Sequence, residues 1–312
     1  MLKGLFGGRS SRPEPKLSVI VIFYNMQREA KRTLQSLTVD YQRGIELSDY
    51  EVIVLDSNST KPLDGDWVRS LQSNFRYEYV SPNNPSPCTA LNHGASLARG
   101  NTLVNVIDGA RILSPGVLAN MLRAEQAFPA PFTYTLGMHL GHKRQNESIS
   151  EGYNQSVEDE LLASVPWESD GYSLFKISCL AGSSKEGFLN PIYESNCFAV
   201  GRDTLAAMGG FDEGFVTPGG GLVNLDVFRQ LMSNDEVTPV MLVGEATFHQ
   251  FHGGVATNVP TAENPWDVFD AEYEQLRGEK FQFVGYPKWP FFLGEIHPDS
   301  RRYFLPVEGV NA

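Results

Sequence analysis

Two aspartates and an asparagine stand where apolar runs break off. Asn25 closes Leu17-Ser-Val-Ile-Val-Ile-Phe-Tyr-Asn25, Asp56 lies at the end of Tyr50-Glu-Val-Ile-Val-Leu-Asp56, and Asp108 ends Thr102-Leu-Val-Asn-Val-Ile-Asp108. Each run has the length and β-branched content of a buried strand. Ser57, Asn58, Ser59 and Thr60 follow Asp56 directly, a cluster of small hydrogen-bonding groups. Strands separated by helical sequence pair in parallel through right-handed crossovers, so their C-terminal ends meet at one rim. Open α/β sheets bind ligands outside that rim. A carboxylate there can accept hydrogen bonds from a ligand or hold a hard cation such as Mg²⁺ or Mn²⁺ through oxygen. The plain alternatives are local: Asp56 capping the turn after its strand, and Asp108 forming an Asx-turn before Gly109.

The elements that must position these groups can be read from the spacing. Ala30, Leu34 and Leu37 recur at helical intervals after the first strand, and Trp67, Leu71 and Phe75 after the second. Tyr77 and Tyr79 mark a short third strand. Ala90, Leu91, Gly94, Ala95 and Ala98 form the narrow face of a helix closed by Gly100, ahead of strand 102–107. Beyond residue 130 the pattern loosens. Residues 133–142 read as a strand entering a polar loop, and Ser156 ahead of acids reads as a helix start. Residues 166–191 read as a long ordered loop of the kind that forms lids and binding surfaces. A strand at 196–200, a short helix at 203–208, a turn at Gly209-Gly-Phe-Asp-Glu213, a helix at 222–232 and a strand at 240–248 follow. Trp266, Phe269, Tyr273 and Leu276 share one helical face, and the aromatic, Pro-rich segment after them is expected to wrap the domain.

The chain has 312 residues, 41% hydrophobic and 20% charged, enough for a sizeable core. Its net charge of -12 argues against general nucleic-acid binding, which needs a basic face. No run approaches the roughly 20 apolar residues that span a bilayer. Residues 1–16 read as a flexible, mildly basic leader without the apolar centre of a secretion signal. Cys88, Cys179 and Cys197 are odd in number and widely spaced, which suits reduced thiols in the cytoplasm. A protein of this kind touches a membrane, if at all, from its surface.

The order of these segments resembles the family 2 glycosyltransferases. The residues that carry the likeness are Tyr24-Asn25, Asp56-Ser-Asn-Ser59, the helix 90–100, Asp108 after its strand, and Gly209-Gly-Phe-Asp-Glu213. The resemblance covers about residues 17–255 and implies an α/β fold of GT-A type, a mostly parallel sheet flanked by helices. On it, residues 17–110 form a nucleotide-sugar half and 111–255 an acceptor and catalytic half, with 256–312 as a C-terminal helix and wrap. It also implies a nucleotide-sugar donor, usually a UDP-sugar. Asp56 would bond uracil or ribose, Tyr24, Asn25 and Ser59 would line the base pocket, and Asn92 and Gly94 would pack a helix against the nucleotide. Asp108 would be the first acid of an acid-x-acid motif, facing the diphosphate through a divalent metal, with Arg111 as a further diphosphate contact or a solvated turn residue.

Several positions depart from the family pattern. The acid motif reads Asp108-Gly-Ala110, so the second carboxylate is absent, and Lys61 stands where an acid is common. Leu222 and Val223 occupy the places of the acidic pair that supplies the catalytic base. Asp226 is the nearest carboxylate and the first candidate base, with Glu194 second; a surface pairing of Asp226 with Arg229 is the plain alternative. In Phe248-His-Gln-Phe-His-Gly-Gly254, His249 or His252 could complete the metal site that Asp108 opens. On a strand, residues three apart face opposite sides, so one of the two is expected to reach the ion. Gly253 and Gly254 would let backbone amides approach the diphosphate. Trp167, Tyr153 and Trp266 are candidates for stacking on an acceptor sugar or for the core.

The reading is a metal-assisted, inverting transfer of a hexose from a nucleotide sugar to a hydroxyl of a glycan or lipid-linked saccharide. The competing readings are a catalytically impaired nucleotide-sugar-binding or partner module of the same fold, and a sugar-phosphate nucleotidyltransferase. The last needs a Gly-rich basic loop after the first strand, where Phe23-Tyr-Asn-Met-Gln27 stands.

Overall fold

A computed structural model describes residues 14–283 and 285–304. The expected leader lies almost wholly outside the described residues, as does the end of the C-terminal segment. In chain order the elements are β1 (Leu17–Phe23), α1 (Gln27–Ser36), β2 (Tyr50–Ser57), α2 (Gly65–Leu71), β3 (Phe75–Val80), α3 (Cys88–Leu97) and β4 (Thr102–Val106). Next come β5 (Arg111–Leu113), α4 (Val117–Ala127), β6 (Pro131–Leu140), α5 (Gln145–Ser148), α6 (Gln155–Ala163), β7 (Ser178–Leu180), β8 (Cys197–Gly201) and α7 (Arg202–Ala207). The chain closes with α8 (Val223–Ser233), β9 (Thr238–His249), α9 (Trp266–Arg277) and β10 (Phe291–Gly294).

One sheet runs β10-β9-β6-β8-β4-β1-β2-β3, with β5 added on β9 and β7 on β6. β1 pairs in parallel with β2 and β4, and β2 with β3. β8 runs against both β4 and β6, while β6, β9 and β10 are parallel to one another. It follows that the C-terminal ends of β1, β2, β4, β6 and β9, and the N-terminal end of β8, share a single rim. Phe23 sits in register with Asp56, and Val21 with Val106. This is the convergence that the three strand ends implied.

The central strands are apolar on both faces because helices cover both. Along β1, Leu17, Val19, Val21 and Phe23 join one core, with Ala30 and Leu34 of α1 and Leu118 and Met121 of α4. Ile20 and Ile22 enter the other, with Leu91 of α3 and Phe228 and Leu231 of α8. Each fully buried aliphatic side chain contributes about 1.5–3 kcal/mol of transfer free energy. Sliding β1 by one residue would exchange the two sets, which pins its register.

Some details differ from the sequence expectation. Phe75 opens β3 instead of closing the second helix. The side chain of Asn154, not Ser156, caps α6, accepting from the Ser156 and Val157 amides. The stretch 166–191 holds short 3-10 turns and β7 in place of a uniform loop. The C-terminal segment adds β10 to the outer edge of the sheet, where Phe291 and Phe292 are exposed. Those two aromatics show no alternation of buried and exposed positions, so nothing in the pattern marked a strand. Among the described residues no helix is long and apolar enough to cross a membrane, and Cys88, Cys179 and Cys197 are free thiols.

Candidate functional site

One side of the rim is built around Asp56. Its side chain is fully buried, and Oδ2 accepts from the Leu63 amide at 2.6 Å and the Tyr77 hydroxyl at 3.5 Å. The capping role is therefore real, but it uses only one oxygen: Oδ1 is buried with no partner. A buried acceptor lone pair left unmatched costs about 1–3 kcal/mol, so this is where a donor group would bind most gainfully. Asn25 adopts a left-handed φ of 54°. Its amide donates to Ser59 Oγ at 2.8 Å, and its Oδ1 accepts from Thr60 Oγ1 and the Lys61 amide. The two strand ends are thereby laced together. Tyr24, next to them, is 56% exposed and free to cover a ligand.

Asp108 lies two residues past β4. Its Oδ1 accepts from the Ala110 amide at 3.0 Å, the expected Asx-turn, while Oδ2 stays turned toward β9. Gly109 is required here: a Cβ would stand 2.4 Å from both the Ile22 carbonyl oxygen and the Phe23 ring. β5 then pairs antiparallel with the end of β9, Arg111 opposite His249, and the Gln250 amide donates to the Ala110 carbonyl. That pairing brings residues 108 and 249 together. His249 Nε2 is 3.2 Å from Asp108 Oδ2, and His252 Nε2 is 3.2 Å from His249 Nε2 and 3.8 Å from Asp108 Oδ1.

Both histidines therefore face the aspartate, which corrects the expectation that only one would. β9 ends at His249, and the chain turns before His252, so strand alternation no longer governs the second ring. The three ligand atoms lie within 4.8 Å of one another. Burial alone would raise the Asp108 carboxyl, but the His249 and His252 imidazoles and the Arg111 guanidinium more than reverse this and hold it well below the usual carboxylate range. Burial pushes His249 down to about 4, against the opposing pull of Asp108. One carboxylate oxygen and two imidazole nitrogens converging within 4.8 Å of one another are a donor set that a cation fits.

Other expectations change. Arg111 is not a solvated turn residue. It is 4% exposed, with Nε 3.2 Å from Asp108 Oδ2 as a buried counter-charge, and its Nε and Nη1 have no hydrogen-bond partner. The Gly253 and Gly254 amides both donate to Asn258 Oδ1, so they do not offer free donors to a diphosphate. Asn92, expected to pack a helix against the nucleotide, has its side-chain amide engaged by another segment. Its amide accepts from the Phe211 amide and donates to the Phe211 carbonyl and Glu213, clamping the Gly-Gly-Phe-Asp-Glu turn to α3. Gly94 packs on Ile20 and Leu55, whose methyls a Cβ would meet at 2.6 and 2.8 Å. Trp167 packs near Tyr41 in the core, and Tyr153 donates to Glu158; Trp266 stacks on Phe283.

The two candidate bases separate clearly. Asp226 does not pair with Arg229, which reaches Glu279 instead. Both Asp226 oxygens are taken by Arg277, Nε to Oδ1 at 3.0 Å and Nη2 to Oδ2 at 2.6 Å, with Gln230 also on Oδ2. Neither oxygen is left free to meet an acceptor hydroxyl. Glu194 is partly exposed and lies just before β8, at the rim. The Asn196 carbonyl, two residues on, accepts from the Ile107 amide, beside Asp108. Asn224 Nδ2, on the first turn of α8, donates to Glu194 Oε2 at 2.9 Å and leaves Oε1 open.

Sequence reasoning passed over the residues that hold this cluster. Thr33 donates to the Gly109 carbonyl, and Gln250 donates to Thr33 and to the Glu29 carbonyl, so α1 clasps both the Asp108 turn and the end of β9. Gln145 and Asn258 hold the histidines. Gln145 lies about a hundred positions from His249, beyond any local pattern, and only the polar character of the segment after β6 hinted at it; Asn258 sits four to six residues past the amides it gathers.

The family described as glycosyl transferase family 2 matches residues 18–180, just over half of the chain. Among solved structures, S. aureus TarS (residues 1–349) aligns with TM-score 0.50 and 14% identity over 83% of this chain and 65% of that one. The same protein with UDP-GlcNAc aligns with TM-score 0.49 and 16% identity over 77% and 59%. The mannosyltransferase PcManGT from Pyrobaculum calidifontis, with GDP-Man and Mn²⁺, gives 0.38 and 21% over 68% and 53%. The chain thus spans less than two thirds of the length of these solved chains, and at such identities the likeness bears on the fold. No curated protein matches it. The rim geometry, the GT-A arrangement of the sheet and the match over residues 18–180 lead to one statement: the chain belongs to glycosyl transferase family 2.

Proposed function

We propose that this protein transfers a hexose from a UDP-sugar to a hydroxyl of a glycan or lipid-linked saccharide, with inversion and with a divalent metal held by Asp108, His249 and His252. The observation that carries the reading is the sharing of one sheet rim by the unmatched oxygen of Asp56 and the three-ligand cluster. Base choice follows from Asp56. Uracil offers a single imide N–H between two carbonyls, which suits one free carboxylate oxygen. Guanine offers two adjacent donors, and Leu63 already occupies the second oxygen. A donor nucleotide must displace the cover over Asp56 to reach it, because that oxygen is closed to solvent.

Two imidazoles and one carboxylate favour Mn²⁺ over Mg²⁺, which prefers oxygen alone. The second imidazole takes the place of the acid that Ala110 lacks. A metal bound there would neutralise charge on the departing diphosphate. Glu194, with one oxygen steadied by Asn224 and the other open, is the group we assign to take the acceptor proton. Arg111 adds a buried positive charge 3.2 Å from Asp108.

Calorimetric titration with UDP and GDP, with and without Mn²⁺, tests the reading. UDP binding that tightens with Mn²⁺ and loses that gain in Asp108→Asn is the expected result. Equal affinity for UDP and GDP, or indifference to Mn²⁺, would count against it. Leu222 and Val223 at the family's usual acidic positions, with Asp226 bound by Arg277, also favour a binding module without turnover. Release of sugar from a UDP-hexose in the presence of Mn²⁺ excludes that second reading.

A further inference from the structure

We infer that Gln145 and Asn258 are positioning residues that set the tautomer of His249 and so present its Nε2 lone pair to a metal. The inference rests on the metal reading only for its purpose; the proton logic stands on the hydrogen bonds alone.

Three backbone amides, those of His252, Gly253 and Gly254, point at one atom of Asn258 at 2.9–3.0 Å. Only an oxygen can accept them, so the orientation of the Asn258 amide is forced. Its Nδ2 therefore faces outward and donates to Gln145 at 2.9 Å, which requires the Gln145 oxygen at that place. The opposite end of Gln145 agrees, since Nε2 meets two acceptors, the His249 carbonyl at 3.0 Å and Glu158 Oε2 at 3.4 Å. The Gln145 oxygen also lies 2.7 Å from His249 Nδ1. An amide oxygen accepts only, so Nδ1 must carry a proton; Nε2, 3.2 Å from the Asp108 carboxylate, is then the nitrogen that gives up its share in that contact to a cation.

The same two amides thus govern both histidines. Gln145 grips His249 at its ring and its carbonyl, while Asn258 gathers the backbone that turns His252 inward. Glu158, fully buried, anchors the far side by accepting from Gln145, from the Phe251 amide at 2.7 Å and from Arg28 of α1. Metal-binding histidines commonly owe their orientation to such an outer partner, whose loss costs 10–100-fold in affinity. Here the partner is a neutral amide whose own direction is dictated by three backbone N–H groups.

The test reads the tautomer directly. In the metal-free full chain with ¹⁵N-labelled histidine, long-range proton–nitrogen spectra are expected to show His249 protonated at Nδ1. Gln145→Leu should move the ring toward the Nε2–H form and weaken Mn²⁺ binding, read by calorimetry or by the free Mn²⁺ signal, at least tenfold. Gln145→Glu retains an acceptor for Nδ1 and should keep the Nδ1–H form. Asn258→Asp, which still accepts the three backbone amides but no longer donates to Gln145, should fold and show an intermediate loss. A wild-type His249 with Nδ1 unprotonated, or Mn²⁺ affinity unchanged in Gln145→Leu, overturns the inference. If the wild type shows the Nδ1–H form yet binds no Mn²⁺, the metal reading fails and the tautomer assignment survives.

Discussion

Replacing Asp56 by Asn separates binding from folding at a single position. In the native protein Oδ2 accepts from Leu63 and Tyr77, and Oδ1 has no partner. The asparagine oxygen can keep the Leu63 bond, which leaves the amide nitrogen where Oδ1 stood. A uracil imide N–H would then meet a donor instead of a charged acceptor. Losing a hydrogen bond to a charged group and burying an unmatched donor together cost about 2–4 kcal/mol, roughly thirtyfold to several hundredfold in Kd. The fold should not suffer, because the bond to the backbone persists and a buried carboxylate with one idle oxygen is replaced by a neutral amide. Stability is expected to stay within about 1 kcal/mol of wild type. Calorimetric UDP titration gives the first quantity, and urea unfolding the second. Unchanged UDP affinity in a folded Asp56→Asn protein would refute the argument, and so would a stability loss matching the affinity loss.

The remaining expectations follow from individual contacts. Glu194→Gln should lower kcat by about 10²–10⁴-fold with KM little changed, as removal of a general base does. Asp226→Asn should instead lower stability, by about 2–3 kcal/mol, since breaking a buried pair costs more but Arg277 is 25% exposed and partly rehydrated; a kcat loss without a stability loss would restore Asp226 as the base. Gly109→Ala drives a methyl against the Ile22 carbonyl and should cost about 1–3 kcal/mol in urea unfolding, together with weaker Mn²⁺ binding. Burial raises Glu245 to about 7, despite the Ser114, Tyr172 and Gly116 donors around it. A folded value above the unfolded one means its contribution is full below about 4.5 and is lost as pH rises through about 7, roughly 3 kcal/mol in all. Thermal unfolding between pH 5 and 8 should therefore show a smaller drop in Glu245→Gln than in wild type, and parallel curves would disprove it.

Much of this molecule can be read along the chain because its first half is built from local repeats of strand, helix and turn. The runs ending at Asn25, Asp56 and Asp108 are apolar on both faces, which only a covered parallel strand tolerates, and parallel pairing sends their ends to one rim. Asp56, Asp108 and the histidine-rich motif were legible for that reason. The partners of these groups were not. Whether Asp226 is a base or a structural anion depends on Arg277, which belongs to a helix some fifty positions later. Whether both His249 and His252 face Asp108 depends on where β9 stops and how Asn258 gathers the following turn. Asn92 looked free until the Phe211 backbone closed on it. Residue type and spacing determine which groups reach the rim, since strand geometry is periodic and local. Which of their lone pairs and protons remain available is decided by long-range hydrogen bonds and ion pairs, and those exist only after the tertiary structure has formed.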